Sequence, residues 1–258
     1  VMGSPMTNEK RSDVYDSAFL VLDHHPNNFI PNTNPLIPQG ATNFSDDDGD
    51  FWNSYSGVIN PGEGYIVRPQ SGYGDPANVN FYFTHDRGTL NNGDISRPVI
   101  YNGTNSPAGT PNILANPYPS AIDADDLLTQ MVNNGNFANE LYFWEHLSPP
   151  SVIIPGEHLK FDMDDVSIYN LSGGTQANND PIGDTEPNGV ISTGQGFAIK
   201  ATANATVTFT NAMRLTTGNS TLRAPEEDVD RLWLRVESDA YEVASNTMLA
   251  FNPSAGPG

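Results

Sequence analysis

The chain is 258 residues long and carries 31 acidic against 11 basic residues, a formal net charge of −20. That balance excludes nucleic acid as a partner, because a phosphate backbone needs a basic face, and it disfavours an anionic membrane surface for the same reason. The absence of cysteine rules out a disulfide framework, a thiol nucleophile and thiolate metal sites.

With 37% apolar and 16% charged residues, 23 glycines and 21 prolines, the composition is that of short strands joined by many turns. The start, Val1-Met2-Gly3-Ser4-Pro5, reads as mid-domain sequence: a short strand closed by Ser-Pro. The end, from Asn252 to Gly258, reads as a loop, so the expectation is a segment of a longer product. An apolar strand, Phe19-Leu20-Val21-Leu22-Asp23-His24, comes next. It is followed by an acidic loop, Asp46-Asp47-Asp48-Gly49-Asp50, and an aromatic strand. Then comes Ile59-Asn60-Pro61-Gly62-Glu63-Gly64-Tyr65-Ile66-Val67-Arg68, followed by Val79-Asn80-Phe81.

The same order then runs again. Asn116-Pro117 matches Ser4-Pro5, and Leu141-Tyr142-Phe143-Trp144-Glu145-His146 matches the apolar strand. Asp162, Asp164 and Asp165 form a second acidic stretch. Ile191-Ser192-Thr193-Gly194-Gln195-Gly196-Phe197-Ala198-Ile199-Lys200 repeats the glycine motif, and Val207-Thr208-Phe209 follows it. The offset grows from 112 to 122 to 132 residues along the unit, so the second repeat carries insertions, one of them the Gly/Asn/Asp/Pro-rich loop 172–189. The reading is two tandem units, 1–98 and 99–258. The G-x-G lacks a third glycine and opens a strand, so it is a turn or bulge and not a nucleotide loop. One helix is expected near 123–133, capped within Ser120-Ala121-Ile122-Asp123 and ended by Gly135. Strands are expected at 196–201, 205–210 and 232–237. The fold class is all-β, mainly antiparallel: two related β-sandwich-like units with one short helix in the second.

The second repeat carries a longer signature: Ala115-Asn116-Pro117-Tyr118-Pro119-Ser120-Ala121-Ile122-Asp123, then Tyr142-Phe143-Trp144-Glu145-His146, Gly194-Gln195-Gly196-Phe197, Phe209-Thr210-Asn211-Ala212-Met213-Arg214 and Arg231-Leu232-Trp233-Leu234. This series resembles a region of large secreted surface proteins of Bacteroidota, exported by the type IX system. The resemblance implies an extracellular or cell-surface location and a structural or adhesive role, with no catalytic residues. Asp16-Ser17-Ala18 resembles the O-glycosylation signal of that group, with Ser17 as acceptor.

Candidate sites are few. Asp46, Asp48 and Asp50, with Asp162 and Asp164 at a matched place in the second repeat, are carboxylates that wrap a hard cation such as calcium when a turn brings them together; a solvated acidic turn is the simpler reading. No other cofactor is implied. His24 and His146 each follow an acid at a strand end, which a shared structural hydrogen bond explains as well as a metal does. No nucleophile elbow, zinc helix motif or fixed carboxylate pair occurs, so the chain is not expected to be an enzyme. Trp52, Tyr55, Tyr65, Tyr73, Tyr82, Trp144 and Tyr169 are sugar-stacking candidates where exposed, but most of the aromatics, particularly Trp144 and Trp233, read better as core residues on alternating strands. The functional expectation is an extracellular structural or adhesive protein, a subunit of a surface fibre assembled by strand addition with neighbouring copies or other surface proteins. The alternative is a carbohydrate- or calcium-dependent binding module.

Overall fold

A computed structural model describes residues 1–15, 17, 19–29, 52–69, 83–85, 87–145, 147, 163–180, 186–219, 230–238 and 243–251. The chain is mostly β, in antiparallel sheets. Packing separates Val1–Ser220 from Thr221–Gly258. The repeat boundary placed at 98/99 lies inside the first of these units.

Among the described residues the largest sheet has five strands: β7 (Thr110–Ala115), β9 (Leu141–Trp144), β10 (Val166–Asn170), β11 (Gly173–Thr175) and β13 (Gly196–Ala201), in the order β11-β10-β9-β13-β7. β13 shows why these residues choose a strand. Phe197, Ile199 and Ala201 alternate onto one face and are fully buried, while Ala198 and Lys200 take the other face. The helix α2 (Ala124–Asn134) begins where expected: the Asp123 carboxylate accepts from the Asp125 and Asp126 amides at 2.8 and 3.4 Å. It ends at Gly135, in the left-handed conformation, whose N–H returns to the Met131 carbonyl. Leu127, Leu128 and Met131 recur at helical spacing and are fully buried in one core with Phe197, Ile199, Val207 and Phe209. Each such side chain contributes about 1.5–3 kcal/mol by leaving water.

A second core gathers Tyr15, Phe19, Val21, Ile59 and Tyr65 against Phe83. It sits on a three-stranded sheet in which β2 (Phe19–His24) lies between β3 (Trp52–Ser54) and β4 (Ile66–Pro69). Two-stranded pairs join these sheets among the described elements of the unit. β1 (Met6–Thr7) pairs with β5 (Thr89–Leu90), β8 (Ile122–Asp123) with β12 (Val190–Ile191), and β6 (Ile95–Val99) with β14 (Ala205–Phe209). In the second unit β15 (Asp230–Ser238) and β16 (Val243–Phe251) form a hairpin in nine-residue register, from Asp230↔Phe251 to Ser238↔Val243.

Two elements depart from the sequence reading. The loop 172–189 contains β11, because Asn170↔Gly173 closes a two-residue turn after β10, steadied by the Ser172 amide on Asn170 Oδ1 at 2.8 Å. The short helix α1 (Arg11–Val14) was not expected; Asp13 caps it by accepting from the Lys10 amide at 2.9 Å.

Candidate functional site: two glycine turns that hold each other's first strand

The repeated motif builds the same turn twice. The Glu63 amide bonds to Asn60 O at 3.1 Å and the Gln195 amide to Ser192 O at 3.0 Å. The third residue of each turn, Gly62 at φ 81° and Gly194 at φ 67°, needs the left-handed region that glycine enters at little cost. In the first turn the Glu63 carboxylate accepts from Asn60 Nδ2 at 2.6 Å and Tyr65 Oη at 2.7 Å and pairs with Arg97 at 2.8 Å. In the second the Gln195 side chain accepts from the Ser192 amide at 2.8 Å. Burial pushes the Tyr65 hydroxyl far up in pKa, and the Glu63 hydrogen bond and charge add to it.

The second glycine of each motif makes room for a neighbouring backbone. A Cβ on Gly64 would lie 2.5 Å from Leu114 O, and one on Gly196 would lie 2.7 Å from the Val1 carbonyl carbon. The neighbours are exchanged between repeats. Met2 pairs with Tyr65 of its own repeat, and its other edge pairs with Gln195 of the second. Leu114 does the converse, pairing with Phe197 in its own sheet and with Glu63 of the first repeat. The hydrogen bonds match one for one. Gly3 N–H to Gly194 O (2.8 Å) corresponds to Ala115 N–H to Gly62 O (3.1 Å). Gly196 N–H to Val1 O (2.9 Å) corresponds to Gly64 N–H to Ile113 O (3.2 Å). The two first strands, 1–3 and 113–115, therefore lie about a local pseudo-twofold axis, each gripped by both turns. Gly3 and Ala115 meet at that axis: a Cβ on Gly3 would come 2.4 Å from the Cβ of Ala115, so only one of the two positions has space for a methyl group.

The correspondence extends outward. The Arg11 amide opening α1 bonds to Gly57 O at 2.9 Å, and the Ala124 amide opening α2 bonds to Gly189 O at 2.8 Å. Leu22↔Ile66 answers Tyr142↔Ala198. That pairing sets Leu22 against Tyr142, 120 residues on, two fewer than the 122 from the Asp-His and Glu-His alignment. A two-residue shift keeps every side chain on its face.

Of the expected calcium ligands, Asp46, Asp48, Asp50 and Asp162 lie outside the described residues. Asp164 accepts from Asn178 Nδ2 at 2.9 Å, and the adjacent, fully buried Asp165 accepts from Asn179 Nδ2 at 2.7 Å. Among the described residues no group of three His, Asp or Glu is arranged to hold a metal. Ser17 is described and exposed. His146 lies outside the described residues. His24 packs its ring against Trp52, 4.9 Å between centroids, and burial lowers its pKa to about 4, with the neighbouring His25 charge adding to the effect. Tyr65 and Tyr169 are buried, which removes them from the sugar-stacking candidates; Trp52, Tyr55 and Trp144 are part-exposed, and Tyr73 and Tyr82 fall outside the described residues.

One polar cluster was not foreseen. Glu9 is fully buried, and its Oε2 accepts from Ser4 Oγ at 2.5 Å and lies 2.6 Å from His85 Nδ1. Serine, histidine and acid are all present, but the carboxylate stands in the middle. The serine proton is directed at the acid and not at the imidazole, so this is a structural clasp and not a nucleophile with its base. Its partners are 5 and 76 residues from Glu9, and no local spacing announces them.

The family model for a domain of unknown function (DUF8693) matches residues 3–258, and the chain belongs to that family. No curated protein and no solved structure matches it.

Proposed function

We propose that the chain is a non-catalytic structural or adhesive protein of the extracellular surface that joins neighbouring copies, or other surface proteins, by β-strand addition. The observation that carries this reading is the hairpin of β15 and β16. Two strands of nine residues, about 30 Å long at roughly 3.3 Å per residue, pair with each other and, among the described residues, with no third strand. A lone two-stranded ribbon is marginal in water, and each outer edge carries a row of backbone donors and acceptors that another strand satisfies. The acidic surface supports the reading by keeping concentrated protein dispersed until edges meet in register. The likeness of the second repeat's motifs to secreted surface proteins supports the location.

Proline substitution tests the edge. Successive N–H groups of an antiparallel strand point alternately to its two neighbours, so one of Thr247→Pro and Met248→Pro spares the hairpin bonds and removes an outward donor. Light scattering across a concentration series reads the outcome. The wild type grows in mass with concentration, and the outward variant does not while keeping its circular dichroism. Growth undiminished in both variants sinks the proposal.

A further inference from the structure

Among the described residues five large hydrophobic side chains are exposed, and two of them, Val132 at 38% and Leu171 at 51%, line the same cleft. The cleft has a volume of about 520 Å³, inside the roughly 300–1,000 Å³ of small-molecule sites. The last turn of α2 supplies one wall, and the two-residue turn between β10 and β11 supplies another. The strand register brings polar groups to the same place. Tyr169↔Leu141 is the last pair of β10 with β9, so Asn170 and Glu140 are neighbours one step beyond it. Each is oriented by one bond. Asn170 Oδ1 accepts from the Ser172 amide at 2.8 Å, which leaves Nδ2 to donate elsewhere. Glu140 Oε2 accepts from Tyr142 Oη at 2.6 Å, which leaves Oε1 to accept elsewhere. Asn139 and Ser172, both exposed, border the same space.

We infer that this cleft binds a neutral sugar unit, a hexopyranose of a glycan. Every residue lining it belongs to Val1–Ser220, so the site is independent of the hairpin edge in Thr221–Gly258. A pyranose ring offers an aliphatic C–H face and a rim of adjacent hydroxyls, each able to donate and to accept. Val132 and Leu171 cover the C–H face, and taking that surface out of water favours binding. At the rim one hydroxyl donates to Glu140 Oε1, and a bond to an ionised acceptor is about twice as strong as a neutral one. The neighbouring hydroxyl accepts from Asn170 Nδ2. Charge selects a neutral ligand. No cation lines the cleft among the described residues, and the chain carries a net charge of −20, so an anionic sugar is repelled. A cationic ligand is not favoured either, because the Glu140 charge already acts on Lys200, whose ammonium lies 5.7 Å from the Tyr142 ring centroid. Two directional bonds and a small apolar contact correspond to affinity in about the millimolar range.

Amide chemical-shift titration of the full chain tests the site. The probes are methyl β-glucoside, methyl β-galactoside and methyl α-mannoside, each taken to about 50 mM so that a millimolar site saturates. At least one glycoside is expected to shift the amides of residues 138–140 and 170–172 along a saturating curve. Asn170→Asp keeps the acceptor for the Ser172 amide and removes the donor, so it should weaken binding about tenfold. Leu171→Ser, at an exposed turn position, should weaken it several-fold through lost apolar contact and leave the melting temperature unchanged. Titrations with all three glycosides that give no saturating shift at these residues overturn the inference. So does binding undiminished in both variants at unchanged melting temperature. Tighter binding at the same residues by N-acetylneuraminic acid or by lysine methyl ester would replace the neutral sugar with an anion or a cation and refute the assignment. Assembly without any glycoside shift would refute the sugar site and leave strand addition standing, and a glycoside shift in a chain that never assembles would do the reverse.

Discussion

Replacing Gly64 by alanine probes the reciprocal grip directly. The new Cβ would sit 2.5 Å from Leu114 O, 2.8 Å from Ile113 Cγ2 and 2.9 Å from the Leu114 carbonyl carbon. Two of those atoms are backbone of β7, whose other edge is paired along its length with β13, so the strand has little freedom to retreat. Overpacking of this kind costs about 1–3 kcal/mol. Alanine also removes unfolded-state freedom, an offset of about 0.4–1 kcal/mol. The net expectation is a loss of about 1–2 kcal/mol, or about 2–8 °C in Tm at 2–4 °C per kcal/mol for a unit of this size. Thermal melts give the magnitude, and hydrogen exchange gives the location. The Ala115 amide, which bonds to Gly62 O, belongs to the second repeat, yet it is expected to lose protection when the first repeat's turn is pushed away. A Tm change below about 1 °C, equivalent to less than 0.5 kcal/mol, would refute the reasoning. So would faster exchange confined to residues 57–69.

Other expectations follow from single groups. Asp123→Ala removes the acceptor for the Asp125 and Asp126 amides and should cost about 1 kcal/mol of stability by urea titration, while Asp123→Asn should recover most of it. His24 titrates near 6.5 when unfolded and at about 4 when folded, so the unfolded chain binds the extra proton and stability declines as pH falls from about 6.5 to about 4. The full shift corresponds to about 3 kcal/mol. Urea midpoints of the wild type and His24→Gln should converge on acidification, and parallel pH profiles would contradict the assignment. Glu9→Leu leaves the Ser4 hydroxyl and His85 ring without their shared acceptor and should cost about 1–3 kcal/mol, whereas Ser4→Ala should cost less because Glu9 keeps His85; equal losses would mean the two bonds are not independent supports.

The parts of the fold visible in the sequence are those set by local chemistry. Asp123 before an apolar helical run and Gly135 after it mark both ends of α2. The alternation in 196–201 gives β13, and the glycine spacing gives the two turns. β11 was hidden because Gly173-Gly174-Thr175 has turn composition and becomes a strand only by pairing with β10. The helix α1 is four residues long, too short to show a period. The repeat itself was readable, but not the exchange of partners between repeats. Met2 pairing with Gln195 joins residues 193 positions apart, and no periodicity encodes such a choice. The Glu9 clasp was invisible for the same reason. The steric rule at Gly3 and Ala115 exists only once two distant strands have met.

Assembly by strand addition is the central claim, and electron microscopy of the full chain at high concentration tests it most directly. The account predicts end-to-end particles with a regular repeat, lost in whichever of Thr247→Pro and Met248→Pro keeps the hairpin and removes its outward donor. Isolated single-chain particles at every concentration, in wild type and variants alike, would contradict it.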